Sequence, residues 1–198
     1  MSETPPKLNK KFFIFAGLAT VVALIIFTFL ERPFMTKSCD EYDIANLSDP
    51  ENTILMEVSS GGCIVIETRP DKAPNHVARF KELTREGFYD GIVFHRVIDG
   101  FMAQTGDPTG TGSGGSGQNI GAEFSDIAHE RGTVSTARSG HPDSADSQFF
   151  IMFDTSPHLD GQYTVWGRVI EGMEYVDGIQ KGNVNDGGAV PKDQQDKI

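Results

Sequence analysis

Phe94-His95-Arg96-Val97-Ile98-Asp99-Gly100-Phe101-Met102-Ala103-Gln104-Thr105-Gly106-Asp107 is the stretch on which the reading of this chain turns. It opens in a strand-like run, Ile92 to Ile98. It closes into Gly106 to Gly117, which reads GDPTGTGSGGSG. A glycine-rich loop can cradle phosphate, but a Walker loop needs Gly-Lys-Ser/Thr and a helix directly after it, and neither is present. The loop is therefore expected to be a flexible surface loop with φ above zero at several glycines.

Outward from this stretch the chain is rich in short apolar runs. Thr53 to Val58 and Cys63 to Thr68 flank Ser59-Ser60-Gly61-Gly62, a hairpin signal. Pro74 opens a helix on which Val77, Phe80, Leu83 and Thr84 recur at helical spacing, and Gly87 stops it. Met173, Val176 and Ile179 mark a second short helix ending near Gly182. The chain carries 22 Gly and 14 Phe, which fits many turns around an aromatic filling and not a helical bundle. Two helices and many short strands predict a mainly β domain, a closed barrel with helices over its ends.

The net charge of −11 makes nucleic acid a poor partner, because phosphate backbones are repelled. Ser139, His141 and Asp143 crowd one turn without a G-x-S-x-G elbow, so they predict no hydrolase triad. His129-Glu130 lacks a second His four residues on, where Thr133 stands, so no metal is expected. Cys63 opens an apolar run and reads as a small buried hydrophobe. A Cys39–Cys63 disulfide is the alternative, permitted in an oxidising compartment.

Phe12 to Leu30 contains no charged residue. A helix of that length spans about 28 Å, close to the hydrocarbon thickness of a bilayer. Lys7, Lys10 and Lys11 precede it, which favours a cytoplasmic N-terminus and export of the chain beyond the span. The exit Phe29-Leu30-Glu31-Arg32-Pro33-Phe34 places bulky residues where a signal peptidase needs small ones, so an uncleaved anchor is expected; the alternative is a cleaved, soluble periplasmic form. The expected layout is a cytoplasmic 1–11, an inner-membrane transmembrane helix 12–30, a linker 31–51, a periplasmic domain 52–185 and a polar tail 186–198, in a monomer.

Three segments resemble the cyclophilin family in order and spacing. The stretch 94–107 is similar to its F-H-R-[VI]-I-x-G-F-M-x-Q-x-G-D. Ser147-Gln148-Phe149-Phe150-Ile151 is similar to S-Q-F-F-I. The run from Leu159-Asp160-Gly161 to Val165-Trp166-Gly167-Arg168-Val169 is similar to L-D-G-x-x-x-V-[FW]-G-x-V. Ala73-Pro74-Asn75 and Gly87-Phe88-Tyr89-Asp90-Gly91 fit as well, and the resemblance covers roughly 52–182. It implies an eight-stranded antiparallel barrel capped by two helices, and peptidyl-prolyl cis/trans isomerisation without a cofactor.

The resemblance also implies roles. Arg96 is the donor to the twisted imide, with Gln104 beside it. Phe101, Met102, Phe150 and Leu159 line an apolar pocket for proline, and Gln148 lies near the substrate backbone. Ala137 and Arg138 fall in the segment that pairs with bound peptide. His95 flanks the catalytic arginine, where a structural hydrogen bond is expected. The sequence departs from the family at His158, commonly Trp in eukaryotic members, at Tyr163, usually His, and at Thr136, often Met. Loss of that Trp implies weak binding of cyclosporin. The partners implied are Xaa-Pro-containing polypeptides.

Overall fold

The computed structural model describes residues 36–198. The expected cytoplasmic segment 1–11 and membrane span 12–30 lie outside the described residues.

The domain is built on one antiparallel sheet of seven strands: β1 Thr53–Glu57, β2 Cys63–Thr68, β3 Arg96–Ile98, β4 Met102–Thr105, β5 Thr133–Thr136, β6 Phe149–Met152 and β7 Val165–Glu171. Their order is β1-β2-β7-β5-β6-β4-β3. Two helices pack with it, α1 Pro74–Arg85 and α2 Met173–Gly178. The expectation of a closed, eight-stranded barrel is therefore corrected: among the described residues there are seven strands, and the sheet does not close.

The physical reason lies in what meets the outer edge of the sheet. Residues 92–95, expected as strand, give their backbone groups to the C-terminal segment. Phe94 N donates to Asp196 O at 2.9 Å, Ile198 N to Ile92 O at 2.9 Å and Gly91 N to Ile198 O at 2.8 Å. From the other side Ser59 N donates to Lys197 O at 2.9 Å. Further along, Val97 N donates to Gly188 O at 2.8 Å and Val190 N to His95 O at 3.1 Å. The last residues thus bond to the turn after β1 on one side and to β3 and the residues before it on the other, which satisfies backbone groups there without a further ladder strand. Residues 186–198, expected as a polar tail, are hydrogen-bonded into the domain, and Ile198 packs against its core.

The hairpin expected around Ser59–Gly62 pairs Thr53 with Glu67 through Glu57 with Cys63. Gly62 is needed there: its φ is +91°, and a Cβ would lie 2.4 Å from the Tyr175 ring. Helix α1 buries His76, Val77, Phe80 and Leu83. Its N-cap, Ala73, makes no side-chain cap, and Glu123 supplies one by accepting from Asn75 N and His76 N, each at 3.0 Å. Phe80 stacks on Trp166 with centroids 4.2 Å apart and meets Phe149 edge-on at 5.6 Å.

Residues 36–51, expected as linker, hold short 3₁₀ turns and are stapled to the domain. Cys39 and Cys63 form a disulfide across 24 residues, and Cys63 N donates to Lys37 O at 2.8 Å. The reading of Cys63 as a plain buried hydrophobe is corrected: it is fully buried, and it is bonded.

Side-chain alternation gives the sheet two purposes. In β4, Ala103 enters the main core, while Met102 belongs to a second, smaller apolar cluster. In β6, Phe149 and Ile151 enter the main core, while Phe150 and Met152 join Met102 and Leu159. A strand's period of two therefore separates the interior from a second face, and that face carries the candidate site.

Candidate active site

Cross-strand register assembles the site. Arg96 lies opposite Gln104, Gln104 opposite Phe150, and Phe150 opposite Ser135. A second row sets Ile98 opposite Met102 and Met102 opposite Met152. A row that places Phe150 between polar side chains thus runs beside an apolar row on the same face.

Over these rows lies a cleft of about 370 Å³, lined by Arg96, Phe101, Met102, Gln104, Ala137, Arg138, Phe150, His158, Leu159, Gln162 and Tyr163. Of the residues expected at the site, all but Gln148 and His95 line it. Met102, Phe150 and Leu159 are buried, and Phe101, Ala137 and Tyr163 pack on them. The floor is hydrophobic and the rim polar, the usual make-up of a site for a small apolar group.

Arg96 is oriented by neutral partners. Its Nη1 donates to Gln104 Oε1 at 3.1 Å, and its Nε donates to Gly187 O at 2.9 Å. The described residues offer Arg96 Nη2 no hydrogen bond and place no carboxylate within 4 Å of the guanidinium. Gln104 Nε2 in turn donates to Gln148 Oε1 at 2.9 Å, and Gln148 Nε2 donates to Gly114 O at 2.8 Å and Gly112 O at 3.1 Å. Gln148 is thus placed one step behind the cleft, tying Gln104 to the glycine loop. Burial pulls the Arg96 pKa down from its ordinary value, but a guanidinium keeps its charge at neutral pH.

That loop is crossed by hydrogen bonds of its own. Asp107 is fully buried and accepts from Thr109 N at 2.7 Å, Thr111 N at 3.0 Å and Gly112 N at 2.6 Å. Burial acts to raise the Asp107 pKa, but hydrogen bonds from the Thr109 hydroxyl and from loop N–H groups outweigh it and hold the carboxyl well below the usual range. Positive φ at Gly106, Gly110, Gly112 and Gly117 is as expected. At Gly106 a Cβ would sit 2.3 Å from Ser147 O, so no side chain fits.

The far wall comes from the turn 157–163. Asp160 Oδ1 accepts from His129 N at 2.7 Å and lies 2.9 Å from the buried His129 Nδ1, which fixes Leu159 and Tyr163 over the cleft. His158 stacks on Phe101 at 5.8 Å, and Tyr163 meets Phe150 edge-on at 5.9 Å. Ala137 N donates to Gln148 O at 2.9 Å, so its N–H is spent within the domain. Arg138 lies over the Tyr163 ring at 4.6 Å.

His95 is buried, and neither ring nitrogen makes a hydrogen bond of normal geometry among the described residues; the Val93 backbone is the polar group that acts on the ring. Burial lowers its pKa, which leaves a neutral ring packed against Gly112. Ser139, His141 and Asp143 make no triad: His141 Nδ1 accepts from Asp143 N, and the Ser139 hydroxyl meets Ser144. Two contributors were missed from sequence. Gln162 stood inside a quoted segment without a role, and Gly187, which accepts from Arg96, is 91 residues away from it.

Comparison with known proteins agrees with this geometry. Residues 53–198 match the family model described as cyclophilin type peptidyl-prolyl cis-trans isomerase/CLD. A probable peptidyl-prolyl cis-trans isomerase of Brucella abortus (strain 2308) is 49% identical over 169 residues, covering 79% of this chain and 86% of that protein. Peptidyl-prolyl cis-trans isomerase B of Bacillus subtilis (strain 168) is 45% identical over 129 residues, covering 64% of this chain and 90% of that protein. Among solved structures, a Cryptosporidium parvum cyclophilin type isomerase superimposes with a TM-score of 0.67 at 28% identity, covering 74% of this chain and 93% of that one. The same Cryptosporidium protein has been crystallised in the presence of the dipeptide Ala-Pro. With a family match over most of its length and a cleft of fitting size and chemistry, the chain belongs to the cyclophilin-type peptidyl-prolyl cis-trans isomerases, enzymes that accelerate rotation about Xaa-Pro bonds.

Proposed function

We propose that this chain turns Xaa-Pro bonds without covalent chemistry, by seating the pyrrolidine ring on Phe101, Met102, Phe150 and Leu159 beneath the Arg96 guanidinium. The barrier to rotation is about 18–20 kcal/mol because resonance gives C–N partial double-bond character. As the imide twists, the nitrogen lone pair localises and becomes a hydrogen-bond acceptor. A donor already aimed at that nitrogen binds the twisted form better than either planar form, which is the requirement for catalysis. The observation that carries this is Arg96 itself. It is held at Nε and Nη1 by neutral carbonyls, it has Nη2 free of partners among the described residues, and it stands at the rim of an apolar cleft. Met102, Phe150 and Leu159 supply an apolar surface of the kind an Ala-Pro dipeptide would use here.

The test is the cis-to-trans rate of an Xaa-Pro peptide with the full-length chain and with Arg96→Ala. Loss of one preorganised donor is expected to lower kcat/KM by about 10²–10³. The midpoint of thermal unfolding should hardly move, since Arg96 makes no ion pair among the described residues. Equal rates would turn the reading from enzyme to a module that only grips proline-containing segments.

We further infer that the domain works as a monomer on the outer side of an inner membrane, anchored by residues 12–30. The uncharged run and its three preceding lysines support this, and a Cys39–Cys63 bridge suits an oxidising compartment. Mass spectrometry of the mature chain, together with protease accessibility in spheroplasts, tests it. A mature N-terminus between residues 31 and 40 would replace the anchor with a cleaved, soluble periplasmic form.

A further inference from the structure

Arg138 is the one residue of the cleft whose charge the reaction does not use. It borders two cavities. One is the cleft already described. The other, of about 600 Å³, runs under the glycine loop past Gly112, Gly114, Ser144 and Asp146. Gln104, Ala137 and Arg138 line both, so a peptide with its proline in the first cavity must pass Arg138 to reach the second.

The Arg138 guanidinium is held rigidly and by neutral groups. Its Nε and Nη2 donate to Gln162 O at 3.2 and 2.9 Å, its Nη1 to Ser139 O at 2.9 Å, and its face lies on the Tyr163 ring. It forms no ion pair among the described residues, although acidic side chains outnumber basic ones by 28 to 17 in the chain. No carboxylate lines the first cavity, where the cations are Arg96 and Arg138. The single carboxylate of the second, Asp146, is spent on the loop: Oδ1 accepts from Ser116 N and its hydroxyl, and Oδ2 accepts from Gly117 N. In this acidic protein the first cavity thus carries two guanidinium charges and no lining carboxylate, and Asp146 of the second forms no ion pair with Arg138. A fixed, half-buried guanidinium with no internal counter-charge favours a carboxylate brought by the ligand.

We propose that Arg138 is a specificity-determining residue that selects Xaa-Pro segments carrying Asp or Glu within two residues of the proline. The proposal rests on the reading of the cleft as the isomerase site. It also runs against the overall charge: a net −11 acting alone would favour basic peptides.

The experiment measures kcat/KM of the full-length chain on peptides with Glu, Gln or Lys at each of the two positions before and after proline, beside an all-neutral reference. At one position or more, Glu is expected to exceed Gln by roughly 3- to 10-fold and Lys to fall below it, the scale of one half-buried ion pair. In Arg138→Gln the ratio should collapse toward 1, in Arg138→Glu it should invert, and Arg138→Lys should keep part of it. Ratios within one variant cancel any general loss of activity. Turnover of the neutral peptide with no Glu preference at any position overturns the proposal and leaves the site reading standing, as does a preference that survives Arg138→Gln. Absence of turnover on the neutral peptide overturns the site reading and this proposal together.

Discussion

Arg96 and Gln104 face each other across the β3–β4 pair, and Arg96 Nη1 donates to Gln104 Oε1 over 3.1 Å. An amide oxygen orients the guanidinium without neutralising it, which a carboxylate at the same place would do. Gln104 is itself held by Gln148 at 2.9 Å, so the aim of the donor depends on a chain of amides that ends in the glycine loop.

Gln104→Leu should therefore lower kcat/KM by about 10- to 100-fold, through a misplaced donor and with Arg96 intact. The loss should fall mainly on kcat, because the apolar floor that binds proline is untouched. Steady-state kinetics on a single Xaa-Pro peptide separates the two parameters. A change confined to KM would show that Gln104 contacts the peptide and does not position Arg96.

Asp107 holds the turn 109–112 of the loop together, and its carboxyl is held below its unfolded value, near 3.9. A depressed carboxyl contributes stability that is complete above the unfolded pKa and lost as pH falls toward the folded one. The unfolding midpoint of the parent chain should therefore drop faster below about pH 4 than that of Asp107→Asn. At pH 7 the variant should be the weaker, by roughly 1–3 kcal/mol for disturbed buried hydrogen bonds. Circular dichroism melts from pH 2 to pH 7 give both readings, and parallel curves would contradict the assignment.

The Cys39–Cys63 bridge closes a loop of 24 residues, and neither cysteine lines the cleft. Cys39→Ala with Cys63→Ala should cost about 2–4 kcal/mol of stability, chiefly by freeing the unfolded chain. Isomerase activity of the folded variant at 10 °C should equal that of the parent. Denaturant titration and peptide kinetics on the same preparations check the two halves.

His158 stacks on Phe101 at the rim, at the position where the resemblance to the family implies a Trp in eukaryotic members. The smaller ring leaves less apolar surface for the cyclic peptide cyclosporin, so inhibition should be weak, and His158→Trp should tighten it by about 10-fold or more, in keeping with the weight of Trp at binding hot spots. An inhibition titration on both chains decides this, and a nanomolar constant for the parent would contradict it.

Local patterns spoke clearly where a property repeats at short range. The helix Pro74–Arg85 and the hairpin strand Cys63–Thr68 are set by spacing alone. The motif segments identified most of the cleft, because Arg96, Phe101, Met102 and Gln104 lie within nine residues of one another. Patterns failed where a partner is distant. His95 reads as a hydrogen-bonding residue, yet neither ring nitrogen makes a hydrogen bond of normal geometry among the described residues. The segment 186–198 reads as polar tail because its backbone bonds to residues 91–97 cannot be seen in its side chains.

The sequence by itself determined the family, the chemistry of the cleft and the antiparallel, glycine-turned character of the domain. These depend on residue type and on contacts between near neighbours. Only the tertiary structure decided that the sheet stays open at seven strands, that Cys39 joins Cys63, and that Gly187 steadies Arg96. Each of those brings together groups separated by 24 residues or more, and their pairing depends on where the chain returns in space.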